Sequence, residues 1–462
     1  MDLIVMDPQS RQPLYMQLYQ HYRGEIEQGR LAAGARLPSI RSLADSLSVS
    51  KITVEKAYQQ LMSEGYIDNS ERSRYRVNQV EPAFPTAWPT PETPTAAAAP
   101  EPVYDFASGE MDSEGFDFSL WKRYINKAFM YKNRLMGYGS GSGEPELRAE
   151  IAAYLHHSRG VCASAEQIVI GAGVQSLLNT LCSILKETYG SIAFEEPGFK
   201  NGRQIFTDRG FSIIPARMRA DGLDMAALRQ SAAQLIYVSP SHQFPTGYIM
   251  PVGKRRQLLN WAEQVEGIII EDDYDSEFRY YGRPIPALKG LDRREAVVYL
   301  GSFSKVLPPS IRISYMVLPE RLLAVYRRKA ALYKQTASTT EQLALARYMA
   351  DGHLERQIRR LRKRYYEKSL AFIAGLKEIL ADKVVVKETE SGLHTIIQVR
   401  SAATAAQLVE QALVKGCRVA AVDDFYLRRP RQDLPQIMLY FSKIAVAEIP
   451  VALTLLRQAW FS

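Results

Sequence analysis

The chain has 462 residues, 46% of them hydrophobic, which is more than one domain usually holds, so we expect two or more domains with their own cores. No apolar run is long enough to span a membrane, and the three scattered cysteines, Cys162, Cys182 and Cys417, lack the spacing of a metal site. The sequence therefore predicts a soluble, cytoplasmic protein without a metal, whose formal net charge of +8 permits an anionic partner but does not identify one.

The first 80 residues predict three helices and a small hairpin. Three apolar stripes indicate the helices: Leu14, Leu18, Tyr22 and Ile26; Ile40, Leu43, Ala44 and Leu47; and Val54, Ala57, Tyr58 and Leu61. Ser50 follows a short turn and is the expected N-cap of the third helix. Further on, the apolar Tyr75 and Val77 alternate with Arg74 and Arg76, as in a strand with one cationic face. Two short helices joined by a tight turn predict a helix-turn-helix in which the third helix contacts DNA.

Residues 28–67, QGRLAAGARLPSIRSLADSLSVSKITVEKAYQQLMSEGYI, closely resemble the winged helix-turn-helix of GntR-type transcription regulators. The resemblance implies that operator DNA is contacted by Ser39, Arg41, Lys51, Thr53, Arg72 and Arg74. Lys51 stands where the family usually has an arginine, so the bidentate fork to a guanine edge is lost. The wing lacks the usual glycine, which leaves entry of its tip into the minor groove open. A helix-turn-helix that serves only dimer packing is the alternative.

A domain boundary is indicated by residues 81–102, EPAFPTAWPTPETPTAAAAPEP, which are rich in proline, alanine and threonine. Because this segment has almost no aliphatic side chains to bury, we expect a semi-extended tether. We therefore divide the chain into a DNA-binding domain at 1–79, a linker at 80–103 and a larger domain at 104–462.

The larger domain alternates short apolar runs with amphipathic helices. The runs are QIVIGAG, GSIAFEEPG, AQLIYVSPS, EGIIIEDDYD and AVVYLGSFS. This alternation predicts an α/β fold with a mainly parallel sheet flanked by helices, in which binding groups gather at strand ends. From about Lys383 the strands are fewer and more mixed, which indicates a small C-terminal subdomain.

Lys305 ends a loop of small residues that follows the predicted strand AVVYLGSFS. Two hydroxyls, Ser302 and Ser304, come just before it, Arg312 comes after it, and the acidic strand end GIIIEDD lies earlier in the chain. A lone lysine in such a loop is usually a solvated surface residue. Together, however, the amine, the hydroxyls, the guanidinium and a carboxylate are the groups that a pyridoxal phosphate site needs.

From Tyr104 onward the chain resembles the fold-type I pyridoxal phosphate enzymes of the aspartate aminotransferase superfamily, and the whole chain resembles the MocR/GabR group of regulators. The matching motifs are GYG, SPSHQFPTG, EDDYDSEFRY and GSFSKVLPPSIRISY. The resemblance implies that pyridoxal 5'-phosphate is bound by Lys305, Asp272, Tyr274, Phe199, Gly173, Val174, Gln175, Ser302, Ser304, Arg312 and Tyr138.

The resemblance also implies a role for most of these residues. Lys305 forms the Schiff base, Asp272 partners the pyridine nitrogen with the neighbouring Asp273 as the alternative register, and Tyr274 contacts the ring oxygen. Phe199 stacks on the ring, unless it only packs in the core. Backbone N–H groups of residues 173–175 open a helix and are expected to meet the phosphate. Tyr138 reaches the phosphate of a neighbouring subunit, which predicts a homodimer with composite sites.

Two departures separate the chain from working aminotransferases. Phe244 stands where those enzymes have the asparagine of Asn-Pro-Thr-Gly, which hydrogen-bonds the ring oxygen. Leu434 aligns with the arginine that binds the α-carboxylate of the substrate. Arg428, Arg429 or Arg431 could replace that arginine, or each could be a solvated loop charge.

These features lead to a hypothesis of a pyridoxal phosphate-dependent transcription regulator with little or no turnover. An amine or amino acid, or pyridoxal phosphate itself, would be the effector, and its binding would shift the orientation of the tethered DNA-binding domains. One alternative is a catalytically active aminotransferase with an accessory DNA-binding module. The other is a DNA-binding protein with a vestigial, empty pocket.

Overall fold

The computed structural model describes residues 6–69, 75–80, 103–219, 221–280, 285–330, 334–387, 391–428 and 434–461. The chain divides into two compact units, Met1–Ala99 and Pro100–Ser462. The predicted tether at 81–102 and the wing residues Arg72 and Arg74 lie outside the described residues. No helix within the described ranges is long and apolar enough to cross a membrane.

The first unit contains three helices and a two-stranded wing. Its elements are α1 (Leu14–Glu27), α2 (Ile40–Leu47), α3 (Lys51–Ser63), β1 (Ile67–Asp68) and β2 (Arg76–Val77). Ser39 and Ser50 cap α2 and α3, because their hydroxyls accept hydrogen bonds from the backbone N–H groups of Ser42 and Thr53. The apolar stripe predicted for α3 is buried against α1 and α2.

The second unit is an α/β fold. Its first half contains β3 (Tyr104–Asp105), α4 (Phe118–Ala128), α5 (Lys132–Leu135), α6 (Pro145–Arg159), β4 (Ile168–Gly171), α7 (Val174–Leu185), β5 (Ser191–Glu196), α8 (Lys200–Asp208), β6 (Ser212–Arg219), β7 (Gly222–Leu223), α9 (Met225–Gln230), β8 (Leu235–Val238) and α10 (Val252–Gln264). Its second half contains β9 (Ile268–Asp273), α11 (Leu288–Leu291), β10 (Val297–Ser302), β11 (Ser314–Val317), α12 (Glu320–Ala330), α13 (Thr339–Ala350), α14 (His353–Gly375), β12 (Val384–Lys387), β13 (His394–Val399), α15 (Ala405–Val414), β14 (Cys417–Arg418), β15 (Ala420–Ala421), β16 (Gln436–Tyr440) and α16 (Ile449–Phe461).

An eight-stranded sheet with the strand order β4-β11-β10-β9-β8-β5-β6-β7 forms the centre of this unit. β10, β9, β8, β5 and β6 are parallel neighbours, whereas β11 runs antiparallel to both β4 and β10. The prediction of a mainly parallel sheet is confirmed. The apolar pattern did not reveal β6, because its sequence SIIPARMR carries a proline and two arginines and is mostly exposed or half-buried.

Side-chain alternation along β9 assigns its acidic end to two different faces of the sheet. Ile270 packs into the apolar cluster that contains α7, whereas Ile269 packs into a cluster on the opposite face. Because successive side chains of a strand point to opposite faces, Asp272 lies on the same face as Ile270, and Asp273 lies on the same face as Ile269. The two carboxylates therefore lie in different surroundings, although they are adjacent in the sequence.

The C-terminal part of the unit contains a four-stranded antiparallel sheet with the order β12-β13-β16-β15. Its core is formed with α14, α15 and α16 and includes Phe372, Leu408, Leu453 and Trp460. This arrangement confirms the predicted small C-terminal subdomain. It also brings Tyr440, at the end of β16, to the edge of the cavity described next.

Candidate cofactor and DNA-binding sites

One cavity of about 620 Å³ lies at the carboxyl ends of β4, β9 and β10. Ten of the predicted cofactor-binding residues line it: Lys305, Asp272, Tyr274, Phe199, Gly173, Val174, Gln175, Ser302, Ser304 and Arg312. They come from distant parts of the sequence and meet here because the carboxyl ends of parallel strands share one edge of the sheet.

Lys305 lies in the loop after β10, with its amine inside the cavity. Its Nζ donates a hydrogen bond of 2.5 Å to the carbonyl oxygen of Gly109. Burial lowers the pKa of Lys305 below its ordinary value of 10.5, and the carboxylates of Asp275 and Glu110 oppose this effect. A lowered pKa increases the fraction of neutral amine, which is the form that attacks a carbonyl carbon.

The start of α7 and Arg312 form a region suited to an anion. Gly173 turns the chain from β4 into α7 with φ of 85°, and the free N–H groups at a helix start attract negative charge. The Nη2 atom of Arg312 donates to the carbonyl oxygen of Ala172 at 3.2 Å, and a Cβ added to Gly173 would lie 2.6 Å from the same nitrogen. Glycine thus lets the guanidinium approach. The hydroxyls of Ser302 and Ser304 lie 2.9 Å apart beside it.

Asp272 places a buried carboxylate in the cavity, and Asp273 does not. Oδ2 of Asp272 accepts a hydrogen bond of 2.7 Å from the hydroxyl of Tyr237. Burial raises the pKa of Asp272 to about 7, and the hydrogen bond from Tyr237 opposes the rise. Oδ2 of Asp273 instead accepts from Nε of Arg159 at 2.7 Å and from the hydroxyl of Tyr299 at 2.6 Å. Asp273 therefore belongs to a buried ion pair on the opposite face.

Aromatic rings form much of the remaining cavity wall. Phe199 stacks on Tyr237 with ring centroids 6.0 Å apart and lines the cavity next to Asp272 and Tyr274. Phe244, the first departure from aminotransferases, packs edge to face against Tyr274 at 5.9 Å. Since a phenyl ring has no donor, Phe244 makes this wall apolar where those enzymes have an amide.

The cavity fits pyridoxal phosphate, because it offers a separate partner for each polar group of that molecule. The amine of Lys305 matches the aldehyde, the start of α7 with Arg312 matches the phosphate, and Asp272 matches the pyridine nitrogen. Burial of its charge is the physical reason for the raised pKa of Asp272, and a protonated ring nitrogen would compensate that charge. The bound cofactor would supply an aldehyde carbon and an electron-accepting ring.

Tyr138 does not line the cavity of its own chain. Its side chain is 80% exposed, and its ring centroid lies 5.2 Å from Nζ of Lys334. Phe129, Met130 and Met136, which precede it in the chain, are also exposed. The predicted contact of Tyr138 with a neighbouring subunit therefore stays a prediction.

Of the predicted substitutes for a carboxylate-binding arginine, Arg428 lies within the described residues and does not line the cavity. Arg428 and Leu434 lie outside the lining, and Arg429 and Arg431 lie outside the described residues. Within the described lining, Arg312 is the one arginine, and its position next to Gly173 suits a phosphate.

Sequence reasoning missed several lining residues: Lys200, Asn201, Gln204, Ile205, Asp208, Pro309, Ile313, Ser314, Phe425 and Tyr440. The hydroxyl of Ser314 donates a hydrogen bond of 2.9 Å to Oγ of Ser302. Ser314 starts the buried strand SYMV, and because buried polar groups need partners, this serine was the one sequence signal that could have indicated a lining residue. The residues of α8 and of the loop before β16 approach the cavity only through tertiary packing.

In the first unit, the described DNA-binding candidates lie at the starts of α2 and α3. Arg41 and Lys51 are exposed in the first turns of these helices, where the helix dipole attracts phosphate. Ser39 is the N-cap of α2, so its hydroxyl also serves helix capping, and the hydroxyl of Thr53 lies 2.8 Å from that of Ser50, the N-cap of α3. Arg72 and Arg74 fall outside the described ranges and stay predictions.

Two protein families match separate parts of the chain. Residues 14–77 match the family described as bacterial regulatory proteins of the gntR family, and residues 101–431 match aminotransferase class I and II. The second family implies pyridoxal phosphate as the cofactor, which is the cofactor predicted from the sequence.

Relatives with the same length match along nearly the whole chain. The HTH-type transcriptional regulator YdeL of Bacillus subtilis is 38% identical over 451 residues, which cover 97% of each chain. The probable rhizopine catabolism regulatory protein MocR of Rhizobium meliloti is 32% identical over 447 residues, covering 93% of this chain and 91% of MocR. The pyridoxine biosynthesis transcriptional regulator PdxR of Corynebacterium glutamicum is 31% identical over 399 residues, covering 85% of each.

Solved structures show the same fold for the second unit. A kynurenine aminotransferase of Pyrococcus horikoshii, crystallised with PMP, superimposes with a TM-score of 0.69 at 24% identity and covers 78% of this chain and 91% of its own. An archaeal alanine:glyoxylate aminotransferase gives a TM-score of 0.70 at 24% identity, with 77% and 90% covered. The chain therefore belongs to the family of GntR-type helix-turn-helix transcriptional regulators that carry a class I and II aminotransferase domain.

Proposed function

We propose that this chain regulates transcription by binding operator DNA through α2, α3 and the wing, and by holding pyridoxal phosphate covalently on Lys305 as the sensor of an amine effector. The observation that carries this proposal is the convergence of the predicted cofactor residues on one cavity, in a chain that also has a helix-turn-helix. An enzyme without a regulatory role has no need for a DNA-binding unit.

Each part of the cavity has a distinct task in this proposal. The amine of Lys305 is the covalent anchor, and its lowered pKa increases the fraction of neutral amine. The start of α7 and Arg312 bind the phosphate and fix the depth of the ring. Asp272 holds a proton on the pyridine nitrogen, and Phe199 covers one face of the ring. An effector with a primary amine would compete with Lys305 for the same aldehyde carbon.

The effector is an amine or amino acid in the leading version of this proposal. The described cavity wall has Arg312 as its one arginine, and we assign this residue to the phosphate, so a second carboxylate has no guanidinium partner among the described lining residues. The wall beyond the ring is aromatic, with Phe244, Phe425 and Tyr440, which favours an effector with an apolar substituent.

Pyridoxal phosphate itself is the second version of the effector. The relative PdxR is named as a regulator of pyridoxine biosynthesis, and this chain is 31% identical to it. In this version, occupancy of the cavity alone changes DNA binding. Titration of the cofactor-free protein with pyridoxal phosphate, followed by operator binding without any amine, separates the two versions.

A homodimer with composite sites is part of the proposal. Tyr138 and its exposed apolar neighbours Met130 and Met136 would be covered by a second copy, and the Tyr138 hydroxyl would reach the partner's phosphate. Mixing Tyr138→Phe chains with Lys305→Arg chains tests this arrangement. One site of each mixed dimer would then have both side chains and keep wild-type cofactor affinity.

The runner-up function is a working aminotransferase with an accessory DNA-binding unit. The lowered pKa of Lys305 and the carboxylate of Asp272 favour it, because both suit proton transfer during turnover. Phe244 weighs against it, since the amide that tunes the ring oxygen in aminotransferases is missing. Steady conversion of an amino donor and a keto acid at ordinary enzyme rates, without salt-sensitive DNA binding, would establish the runner-up.

Two measurements test the leading proposal, one for the cofactor on Lys305 and one for its coupling to DNA binding. The protein is loaded with pyridoxal phosphate, reduced with borohydride and digested, and peptide mass analysis is expected to find the label on Lys305. Lys305→Arg, which keeps the charge, is the matched control and should carry no label. In parallel, amines are titrated while the visible absorbance and operator binding are recorded together. An effector that changes the spectrum but never the DNA affinity would contradict the coupling of the two units.

A further inference from the structure

A buried histidine and aspartate lie directly behind Tyr274, outside the set of predicted cofactor residues. Nδ1 of His242 is 3.0 Å from Oδ1 and 2.9 Å from Oδ2 of Asp275, and the same nitrogen is 3.0 Å from the hydroxyl oxygen of Tyr274. His242 and Asp275 are 3% and 2% exposed, so water does not compete for these contacts. His242 follows β8 and Asp275 follows β9.

The chemistry of these groups determines where the protons lie. Nδ1 of His242 faces both oxygens of Asp275, and carboxylate oxygens are acceptors, so we assign the ring proton to Nδ1, which donates to Asp275. A protonated Nδ1 has no lone pair, and the hydroxyl of Tyr274 therefore cannot donate to it. Among the described residues, the Tyr274 oxygen has no other hydrogen-bond partner. Its proton is consequently free for an acceptor inside the cavity, which its side chain lines.

The packing around His242 keeps the ring in this orientation. Gly392 lies against the imidazole at φ of 87°, and a Cβ added there would overlap with Cε1 of the ring. Nε2 of His242 and Oγ of Ser391 are buried without a hydrogen-bond partner among the described residues. Both border a separate cavity of about 10 Å³, which has the volume of one water molecule.

Other charged or titratable groups surround the pair. They are Asp272, Tyr274, Tyr280, Lys305, His394, Tyr440, Arg159 and Arg279. The Asp275 carboxylate acts on Lys305 by favouring its ammonium form. Phe244, on the cavity side of Tyr274, offers neither a donor nor an acceptor.

We infer that His242 and Asp275 are a positioning pair that holds Tyr274 as the hydrogen-bond donor to the ring oxygen of the bound cofactor. With Phe244 in place of an amide, Tyr274 is the donor that remains, and the pair determines the direction of its proton. Without His242, the phenol proton would turn to the Asp275 carboxylate, which is the stronger acceptor. The part of this inference that concerns the cofactor rests on the proposed function.

The test compares two replacements of His242 that differ in one hydrogen-bond donor. His242→Leu removes Nδ1, whereas His242→Asn keeps an amide N–H near the position of Nδ1. Tyr274→Phe removes the donor itself, and His394→Gln is the control. His394 is equally buried, with its ring 5.6 Å from that of His242, but its Nε2 contacts the carbonyl oxygen of Pro245.

The readout is the pH at which the visible band of the cofactor-bound protein is half converted. A hydrogen bond to the ring oxygen favours the deprotonated form of the cofactor, which carries more negative charge there, so its loss raises this midpoint. We expect Tyr274→Phe and His242→Leu to raise it by about 1 pH unit, a tenfold change in proton affinity. His242→Asn and His394→Gln should move it by less than about 0.3 unit. The double variant of His242→Leu with Tyr274→Phe should equal Tyr274→Phe alone.

Additive shifts in the double variant, or equal shifts for the Leu and Asn replacements of His242, would overturn the inference. A second measurement needs no variant and no cofactor. Nitrogen NMR of the cofactor-free wild-type protein, labelled at its six histidines, should show His242 with a protonated Nδ1. A bare Nδ1 would overturn the inference even if Lys305 carries the cofactor. Absence of label on Lys305 would instead overturn the proposed function and leave the histidine result intact.

Discussion

The two adjacent carboxylates at the end of β9 give the sharpest single prediction. Asp272→Asn removes the charge that faces the cavity, and Asp273→Asn removes the partner of the buried Arg159 on the other face. The two variants are one position apart and make the same chemical change. We expect the first to weaken cofactor binding without unfolding the protein and the second to destabilise the fold with little effect on the cofactor.

The magnitudes follow from the surroundings of each carboxylate. A charge-assisted hydrogen bond is worth about 1.5–3 kcal/mol, so Asp272→Asn should raise the Kd for pyridoxal phosphate about 10- to 150-fold. Burial already disfavours the charge on Asp272, which raises its pKa to about 7, so a neutral Asn is tolerated in the cofactor-free protein. Asp273→Asn removes the carboxylate that is hydrogen-bonded to the buried guanidinium of Arg159, and breaking such a buried pair costs about 3–5 kcal/mol.

Two assays at pH 8, where an unliganded Asp272 is mostly ionised, separate these effects. Absorbance titration with pyridoxal phosphate measures Kd, and thermal unfolding of the cofactor-free protein measures stability. The midpoint should fall by several degrees for Asp273→Asn and should not fall for Asp272→Asn, because removing a buried carboxylate whose pKa burial raises to about 7 relieves a cost of folding at pH 8. The reasoning is refuted if Asp273→Asn weakens the cofactor more than Asp272→Asn does, because the cavity would then face the other carboxylate.

Three further predictions concern other parts of the molecule. Gly173→Ala should weaken binding of pyridoxal phosphate at least about tenfold, because φ of 85° disfavours alanine and the added Cβ would lie 2.6 Å from Nη2 of Arg312. Pyridoxal, which lacks the phosphate, is titrated in parallel and should show a smaller loss of affinity. Burial raises the pKa of Glu195 from 4.5 to about 8, so between these pH values the folded protein holds this proton while the unfolded chain releases it. The free energy of unfolding should therefore fall as pH rises from about 4.5 to 8. In unfolding experiments at pH 5 and 9, Glu195→Gln should remove about 4 kcal/mol of that fall. Lys51→Ala should weaken operator binding and reduce the slope of log K against log salt by about 1. Substitution of the exposed Lys415 in the second unit is the control and should leave the slope unchanged. An unchanged slope for Lys51→Ala would show that Lys51 does not contact the DNA.

The sequence determined the local structure and the chemistry of the site. The period of the apolar residues gave the three helices of the first unit, and Ser50 marked the start of α3 because its hydroxyl caps a helix end. The buried runs gave the parallel strands, because strands covered on both faces are continuously apolar. Motif resemblance identified Lys305 and Arg312, which the structure places in one cavity.

Only the tertiary structure decided which groups face each other. The motif favoured Asp272 and left Asp273 as the alternative register, and their assignment to opposite faces depends on the register of β9 against β8 and β10. The partnership of His242 with Asp275 joins the ends of two neighbouring strands, and no local pattern reports such a pairing. Periodicity and capping act between residues close in the chain, whereas a binding site forms between distant ones, so its polar contacts are fixed only when the sheet is assembled.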